Sequence, residues 1–544
     1  MLTPAASYDQ LVSDFEWHFP ARYNLAFDVC DKWARADPNR TAIIDLTSDH
    51  RRDASFGELK ALSDQLASYL RTFGVERGAR VGIYRTQSLW TAVAHIAVWK
   101  LGAISIPLFK LFGEEALKSR LLDSGAKAVI TDSEGVDALF KIYQDLPDLK
   151  ELMAVDDLSH PEVENFEIAD TSPDDPAVLI YTSGTTGPPK GALHGHRILL
   201  GHLPGVEMSH DLFPQQNDVI WTPADWAWIG GLFDVLMPGL HHGVPVVASR
   251  MIKFNSKQCK DIIETAGITN IFFPPTALKM LKAESAEING LRTVASGGEP
   301  LGSEMLKWGK DAFGVTINEF YGQTECNMVV SSCGKLFPPK SGFMGKPVPG
   351  HEVSVIDETG QQTSHEGDIA IKRGTPVMML EYWNNPAATK AKFRMDKDGN
   401  EWLLTGDRGI MEGSDIHFIG RDDDVITSAG YRIGPGEIED CLLTHPAIAS
   451  AGVIGKPDEQ RTEIVKAYVV LRDGQTPSTT LLAELQNHVK THLAKYEYPR
   501  EIEFIDALPM TVTGKIIRKE LKRWALEEIA KSQLPEVKEN SLDG

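Results

Sequence analysis

The sequence predicts an α/β protein built of helix-covered parallel sheets, ending in a smaller α+β domain. Two observations predict it. Short apolar runs alternate with amphipathic stretches for most of 544 residues, the pattern of strands buried on both faces and joined by crossover helices. That alternation then breaks at 420–437, GRDDDVITSAGYRIGPGE, a charged stretch that turns glycine-rich.

Taken in order, Leu59, Leu62, Leu66, Leu70 and Phe73 recur at steps of three and four, with Gly74 behind them. This is an amphipathic helix with a glycine stop. Segments 81–84, 128–131, 178–181, 244–248, 271–273 and 291–295 read as short buried strands, with helical stretches between most of them. Beyond the break come a short helix around 437–445, a strand around 465–471, and a helix carrying Leu482, Leu485, Val489 and Leu493. That is a unit of about 120 residues, an ordinary domain size. The boundary is set at Asp422–Asp424, dividing the chain into 1–422 and 423–544.

Composition excludes several classes. Lys and Arg total 55 against 76 Asp and Glu, a formal charge of −21. A duplex-DNA binder needs the opposite balance to displace counterions. With 42% hydrophobic and 24% charged residues, dominant disorder is excluded too. The five cysteines, Cys30, Cys259, Cys326, Cys333 and Cys441, form no CxxC pair, so neither a disulfide scaffold nor structural zinc is expected. The N-terminus lacks a basic, apolar signal pattern, no 18-residue apolar run occurs, and SLDG reads as neither a prenylation box nor a peroxisomal signal. The expected location is the reducing cytoplasm.

The strongest local signal is YTSGTTGPPKG, from Tyr181 to Gly191. An apolar strand runs into Thr182, Ser183, Gly184, Thr185, Thr186 and Gly187, followed by Lys190. Small residues let backbone N–H groups approach oxyanions, the hydroxyls add donors, and the lysine adds charge. This reads as a phosphate cradle, the alternative being a Ser/Thr-rich surface turn. It is no Walker A loop, because Pro188 and Pro189 precede the lysine and no Ser or Thr follows it.

That string resembles the signature of AMP-forming acyl-CoA synthetases, in the adenylate-forming superfamily. SGGEPL (296–301), NEFYGQTE (318–325), Thr405–Asp407, 420–439 and PMTVTGKIIRKEL (509–521) are similar to further family motifs, in the family's order. The resemblance implies a large N-terminal domain of packed sheets and helices and a small mobile C-terminal one. It implies ATP-dependent conversion of a carboxylic acid to acyl-CoA through an acyl-adenylate, with AMP and pyrophosphate released. It assigns the β- and γ-phosphates to the 182–190 loop, Mg²⁺ to Glu325, the α-phosphate to Thr324, and the reacting carboxylate and phosphate oxygens to Lys515. Adenine would lie against Gly298, Glu299, Pro300 and the segment Glu319, Phe320, Tyr321, Gly322 and Gln323, with Tyr321 as stacking face. Asp407 would accept from the ribose hydroxyls, aided by Arg421.

For the second step the resemblance implies rotation of the small domain, with Asp423 as hinge and Ala429, Gly430, Tyr431 and Arg432 beside CoA. Lys495 and Arg500 are better read as surface charge. In acetate-selective relatives a tryptophan stands where this chain has Gly322. Its absence suggests room for more methylenes, each worth about 0.8 kcal/mol, hence a medium-chain or short branched acid. WTPADWAWIGG (221–231) resembles the pocket segment of medium-chain synthetases, with Trp228 as gate and Phe273 and Thr276 as further lining, although core packing is the ordinary role of such aromatics. His194 with His196, and His241 with His242, lack zinc spacing, and Asp234 reads as structural or pocket rim. The rival readings are an enzyme that loads a carrier protein, an acetate- or propionate-type synthetase, and a nucleotide-binding protein without catalysis. A lysine acyltransferase or deacylase acting on Lys515 is the one protein partner the resemblance suggests.

Overall fold

A computed structural model describes residues 1–48, 50–155, 166–182, 189–251, 253–340, 342–422, 424–428, 431–458, 461–493, 496–511 and 514–532. Four sheets organise the described residues. In the seven-stranded sheet, five neighbours run parallel: Pro176–Thr182, Ile104–Pro107, Arg80–Tyr84, Ala128–Thr131 and Glu151–Ala154. Antiparallel strands Lys190–Gly195 and Glu381–Tyr382 extend it beyond Pro176–Thr182. In the nine-stranded sheet, Ile317–Gln323, Thr293–Gly297, Asn270–Phe272, Ile220–Trp221, Val246–Ala248 and Thr41–Asp45 are mutually parallel. These are the helix-covered parallel sheets that the alternation predicts.

The helix expected around Leu59–Phe73 runs over Phe56–Thr72. Ser55 caps it by accepting from the Glu58 N–H, and Gly74 follows with φ +75°, a backbone that residues with a Cβ adopt at a cost. Two other helices, Leu89–Lys100 and Ile198–Ser209, are apolar all round and almost wholly buried. Their residues share one core with strands of both parallel sheets, which is where a helix without a polar face must go. Lys100, at the end of the first, is fully buried beside Asp64 and lies 3.0 Å from Asp31. Among the described residues, six histidines of the large N-terminal part are also buried: His95, His194, His196, His202, His210 and His351. Desolvation pushes the first five down to about 3 and His351 to about 4, so all six are neutral.

The third sheet departs from expectation. Val353–Ile356, Gly367–Lys372, Phe393–Met395, Glu401–Glu412 and Asp415–Arg421 pair antiparallel throughout. The cause is visible in Glu401–Glu412, where burial alternates residue by residue over much of the strand, as one solvated face requires. Sheet membership then changes between Arg421 and Ile426. The fourth sheet joins Tyr431–Ile433, Ile426–Ser428, Thr462–Leu471 and Ile448–Asp458, with Glu501–Phe504 parallel to Thr462–Leu471. Helices Pro435–Leu443 and Thr479–His492 pack on it around a separate core.

Glu319, inside the strand Ile317–Gln323, is buried, accepts the Leu301 N–H and faces Asp440. Burial pushes its carboxyl up to about 8. A folded-state value above the unfolded one means stability that is complete below about 4.5 and is lost as pH rises through about 8. Glu319→Gln is therefore expected to gain stability relative to the parent between pH 6 and 9, by about 2 kcal/mol. Urea unfolding of both proteins at the two pH values checks it; parallel pH profiles would refute the assignment.

Candidate functional site

The site lies where ends of the first three sheets meet a turn of the C-terminal region. Thr182 pairs with Lys190 across the hairpin of the seven-stranded sheet. Ser183, Gly184, Thr185, Thr186 and Gly187 lie outside the described residues. The Lys190 ammonium sits 5.5 Å from the Tyr382 ring centre on the adjoining strand, a cation–π arrangement. The Tyr382 hydroxyl in turn donates to Glu325 Oε1, and the Met379 N–H donates to the Glu325 carbonyl. Thr324 and Glu325 form the tight turn between Ile317–Gln323 and Cys326–Ser331. Lys190, Tyr382 and Glu325 are thus one connected cluster, with the buried ring of His194 behind the Thr324 backbone. Tyr382 has no place in the motif reading; only the pairing of its strand with Lys190–Gly195 brings it here.

A second cluster joins the nine-stranded sheet to the third. The Tyr321 hydroxyl and the Gln323 amide (2.9 Å) both donate to Asp407 Oδ2, and Arg421 lies 3.6 Å from Oδ1. Gln323 also donates to the Thr405 carbonyl at 2.8 Å. Gly406 has φ +79°, turning the chain between Thr405 and Asp407. Burial raises the Asp407 carboxyl, while Tyr321, Arg421 and Gln323 oppose that rise by stabilising the charged form. Lys392, absent from the motif reading, reaches the Leu404 carbonyl at 3.0 Å and adds positive charge here.

Gly298, Glu299 and Pro300 follow the strand Thr293–Gly297. Gly298 has φ +103°, and a Cβ built on it would lie 4.0 Å from the Lys515 ammonium. Lys515 sits on a tight turn: its N–H donates to Thr511 Oγ1 (3.0 Å) and the Thr511 N–H to its carbonyl (2.7 Å). Gly514, at φ +82°, lies against Thr276, whose Cγ2 would be 2.3 Å from an added Cβ. Thr276 is thus a rest for the lysine turn. Glu299 pairs with Lys279 at 3.1 Å.

Several expected site residues point elsewhere. Glu319 and Phe320 are buried, Glu319 against Leu301 and Phe320 against Phe272, with ring centres 5.1 Å apart. Only Tyr321, Gly322 and Gln323 of that strand are partly exposed. Phe273 is a core residue between Trp221 and Phe313; strand alternation gives the opposite face to Phe272, which lies against Gly230. Gly322 does not open free space along its Cβ direction, because a Cβ there would lie 2.3 Å from Asn327 Oδ1 and 2.8 Å from its Cα. Asn327 donates to both oxygens of Asp234, at 2.8 and 2.9 Å, and desolvation holds that buried carboxyl well above the usual range. Trp228 is half-buried between Phe109 and Phe112, at 5.3 and 6.2 Å.

The remaining expectations fall away from this cleft or outside the described residues. Tyr431 is exposed and stacks on Tyr496 at 4.1 Å. Arg432 belongs to the strand Tyr431–Ile433, but its side chain lies outside the described residues, as do Asp423, Ala429, Gly430 and Lys495. His241 pairs with Asp28 at 2.8 Å and His242 with Glu207 at 3.0 Å, so both have structural roles.

Comparison with known proteins agrees with this geometry. Residues 30–383 match the model of the AMP-binding enzyme family, and residues 437–515 that of the AMP-binding enzyme C-terminal domain. The acetyl-coenzyme A synthetase of Bacillus subtilis (strain 168) is 35% identical, covering 96% of this chain and 95% of that protein. The mitochondrial acyl-coenzyme A synthetase ACSM4 of Rattus norvegicus is 33% identical over 94% of this chain and 92% of its own. The crystal structure of the anthranilate CoA ligase AuaEII in complex with anthranoyl-AMP superposes with a TM-score of 0.85, at 26% identity, over 95% of this chain and 99% of that one. With both parts of the family pattern matched and near full-length relatives above 30% identity, the chain belongs to the AMP-binding enzyme family, in the adenylate-forming superfamily.

Proposed function

We propose that the protein is an acid–thiol ligase that converts a carboxylic acid, ATP and CoA to acyl-CoA, AMP and pyrophosphate. The observation that carries this reading is the Lys515 ammonium facing Gly298, in a chain that also holds the Asp407 cluster and the Lys190–Glu325 cluster. In the first step a carboxylate oxygen attacks the α-phosphorus as its bond to the bridging oxygen breaks, and pyrophosphate leaves. Two anions must meet, so cations and N–H donors have to offset their repulsion. Lys515 does so at the reacting oxygens, and Lys190 with the 182–187 loop does so at the leaving group. Thr324 faces the α-phosphate. Tyr321 and the backbone of Gly298, Glu299 and Pro300 hold adenine, and Asp407 with Arg421 holds the ribose hydroxyls. Glu325, an oxygen ligand held by Tyr382, suits a hard cation, and Mg²⁺ there would supply positive charge to the phosphate oxygens.

In the second step the CoA sulfur attacks the acyl carbonyl and AMP leaves. The domain 423–544 rotates for this about Asp423, taking Lys515 out and bringing 429–432 in. The exposed Tyr431 ring supports that reading, since it faces solvent while Lys515 faces the cleft. The working compartment is the cytoplasm: the five cysteines are unpaired, and among the described residues no helix is long and apolar enough to cross a membrane. Acylation of Lys515 would remove its charge and switch off the first step.

The acyl group is a medium-chain or short branched one, gated by Trp228. A second reading, an acetate- or propionate-type substrate, is favoured by Asn327 filling the space beside Gly322. Ligation assays across C2 to C12, branched and aromatic acids separate the two, and consumption of acyl-adenylate by free CoA separates both from carrier-protein loading. No AMP formation with any acid would refute the function itself.

Two substitutions test the parts. Lys515→Ala should lower acid-dependent pyrophosphate exchange by about 100-fold or more while leaving thioester formation from supplied acyl-adenylate largely intact. Equal exchange in both proteins would remove Lys515 from the first step. Gly322→Ala should cost about 2 kcal/mol through overpacking against Asn327, read as a lower unfolding midpoint across the whole substrate panel. An unchanged midpoint with only shortened chain preference would restore the open-pocket reading.

A further inference from the structure

The C-terminal region carries a cluster with no part in the proposed reaction. Cys441 on the helix Pro435–Leu443 faces His488 and His492 on the helix Thr479–His492, and one ligand atom of each lies within 4.8 Å of the other two. The histidines stand four residues apart, so successive turns present both rings on one face, with ring centres 4.3 Å apart. The cysteine is 8% exposed and His492 is exposed, so the cluster opens to solvent on one side. The absence of CxxC pairs in the sequence hides it, because its ligands come from two different helices, with His488 47 residues beyond Cys441.

The surroundings already orient the rings. His492 Nδ1 lies 2.8 Å from the His488 carbonyl, so it carries the proton and leaves Nε2 with the bare lone pair. A hydrogen bond at the far nitrogen is the usual means of fixing a ligating histidine. The His488 Nε2 is held by Thr444 Oγ1 at 2.7 Å and by the Cys441 carbonyl at 3.2 Å. His445 completes the surround, its ring centre 5.3 Å from that of His488 and its Nε2 3.2 Å from Glu484.

We propose that Cys441, His488 and His492 form a binding site for a divalent transition metal, with Zn²⁺ the best match. One thiolate and two imidazoles suit a borderline-soft ion, and three protein ligands leave the fourth tetrahedral position for water. On binding, the Cys441 S–H bond breaks, a sulfur–metal bond forms, and the proton leaves to solvent. The ion ties together two of the helices that pack on the fourth sheet.

Titration of the untagged full-length protein with Co²⁺ alone tests this. One equivalent should bind per chain, with sulfur-to-cobalt charge-transfer absorption and tetrahedral visible bands that Zn²⁺ abolishes by displacement. Cys441→Ser should remove the charge-transfer band, and His492→Ala, at an exposed position, should weaken binding about ten-fold or more while keeping the parent's metal-free unfolding midpoint. The proposal is overturned if no sulfur-to-cobalt band appears, if Cys441→Ser retains it, or if His492→Ala binds as the parent does.

Discussion

The arrangement turns on one contact: the lysine turn resting on Thr276. Gly514 can approach Thr276 because it lacks a side chain and adopts φ +82°. From that rest the Lys515 ammonium extends toward Gly298, which lacks a side chain in the same direction. Two glycines, one on each side of the interface, bring a cation from the small C-terminal region to the edge of the nine-stranded sheet. A point charge on a flexible stem needs such backing to act at one place. Other contacts reinforce it. An added Cβ at Gly302 would lie 2.9 Å from Asp440, and a single Arg518 nitrogen, Nη2, donates to both carboxylate oxygens of the neighbouring Glu439.

The remaining groups of the cleft are fixed by where strands end. Ile317–Gln323 runs from the core outward, so its first four residues are buried and its last three partly open. That gradient decides which side chains open to the cleft: Tyr321 and Gln323 reach Asp407, while Glu319 and Phe320 are committed to packing. Gly322 shows the same economy of space. Its missing side chain is occupied by Asn327, which also satisfies the buried carboxyl of Asp234. A glycine in a pocket segment therefore does not by itself signal a void; a neighbour can fill it.

Much of this was legible in the sequence. The helix at Phe56–Thr72 and the strands at Arg80–Tyr84 and Ala128–Thr131 follow from apolar periodicity, because local pattern and tertiary role agree there. The 181–191 string, Asp407 and Lys515 stand out because chemistry restricts their residue types. The third sheet was not legible: its strands alternate, but the order in which they pair depends on distant segments. Phe273, expected to line the acyl pocket, packs in the core instead, because a three-residue strand leaves its inward face ambiguous by one position. Tyr382, Lys392 and Asn327 were invisible for a common reason. Tyr382 acts on a partner 57 residues away and Asn327 on one 93 away, and Lys392, though near Leu404 in sequence, reaches the Asp407 cluster only through the pairing of its strand neighbours; no spacing rule in one sequence marks such meetings.

The inward-facing histidines carry a consequence for the whole molecule. Each is held neutral by dry surroundings, whereas an imidazole in an extended chain takes up a proton near pH 6.5. Acidification therefore feeds protons to the disordered chain that the ordered one refuses. Their stabilising contribution is complete above pH 6.5 and erodes below it. With several such rings in one interior, proton uptake on opening is multiple, and the loss steepens as the solution sours. Part of the response to acid thus arises in the hydrocarbon interior and not at exterior charge.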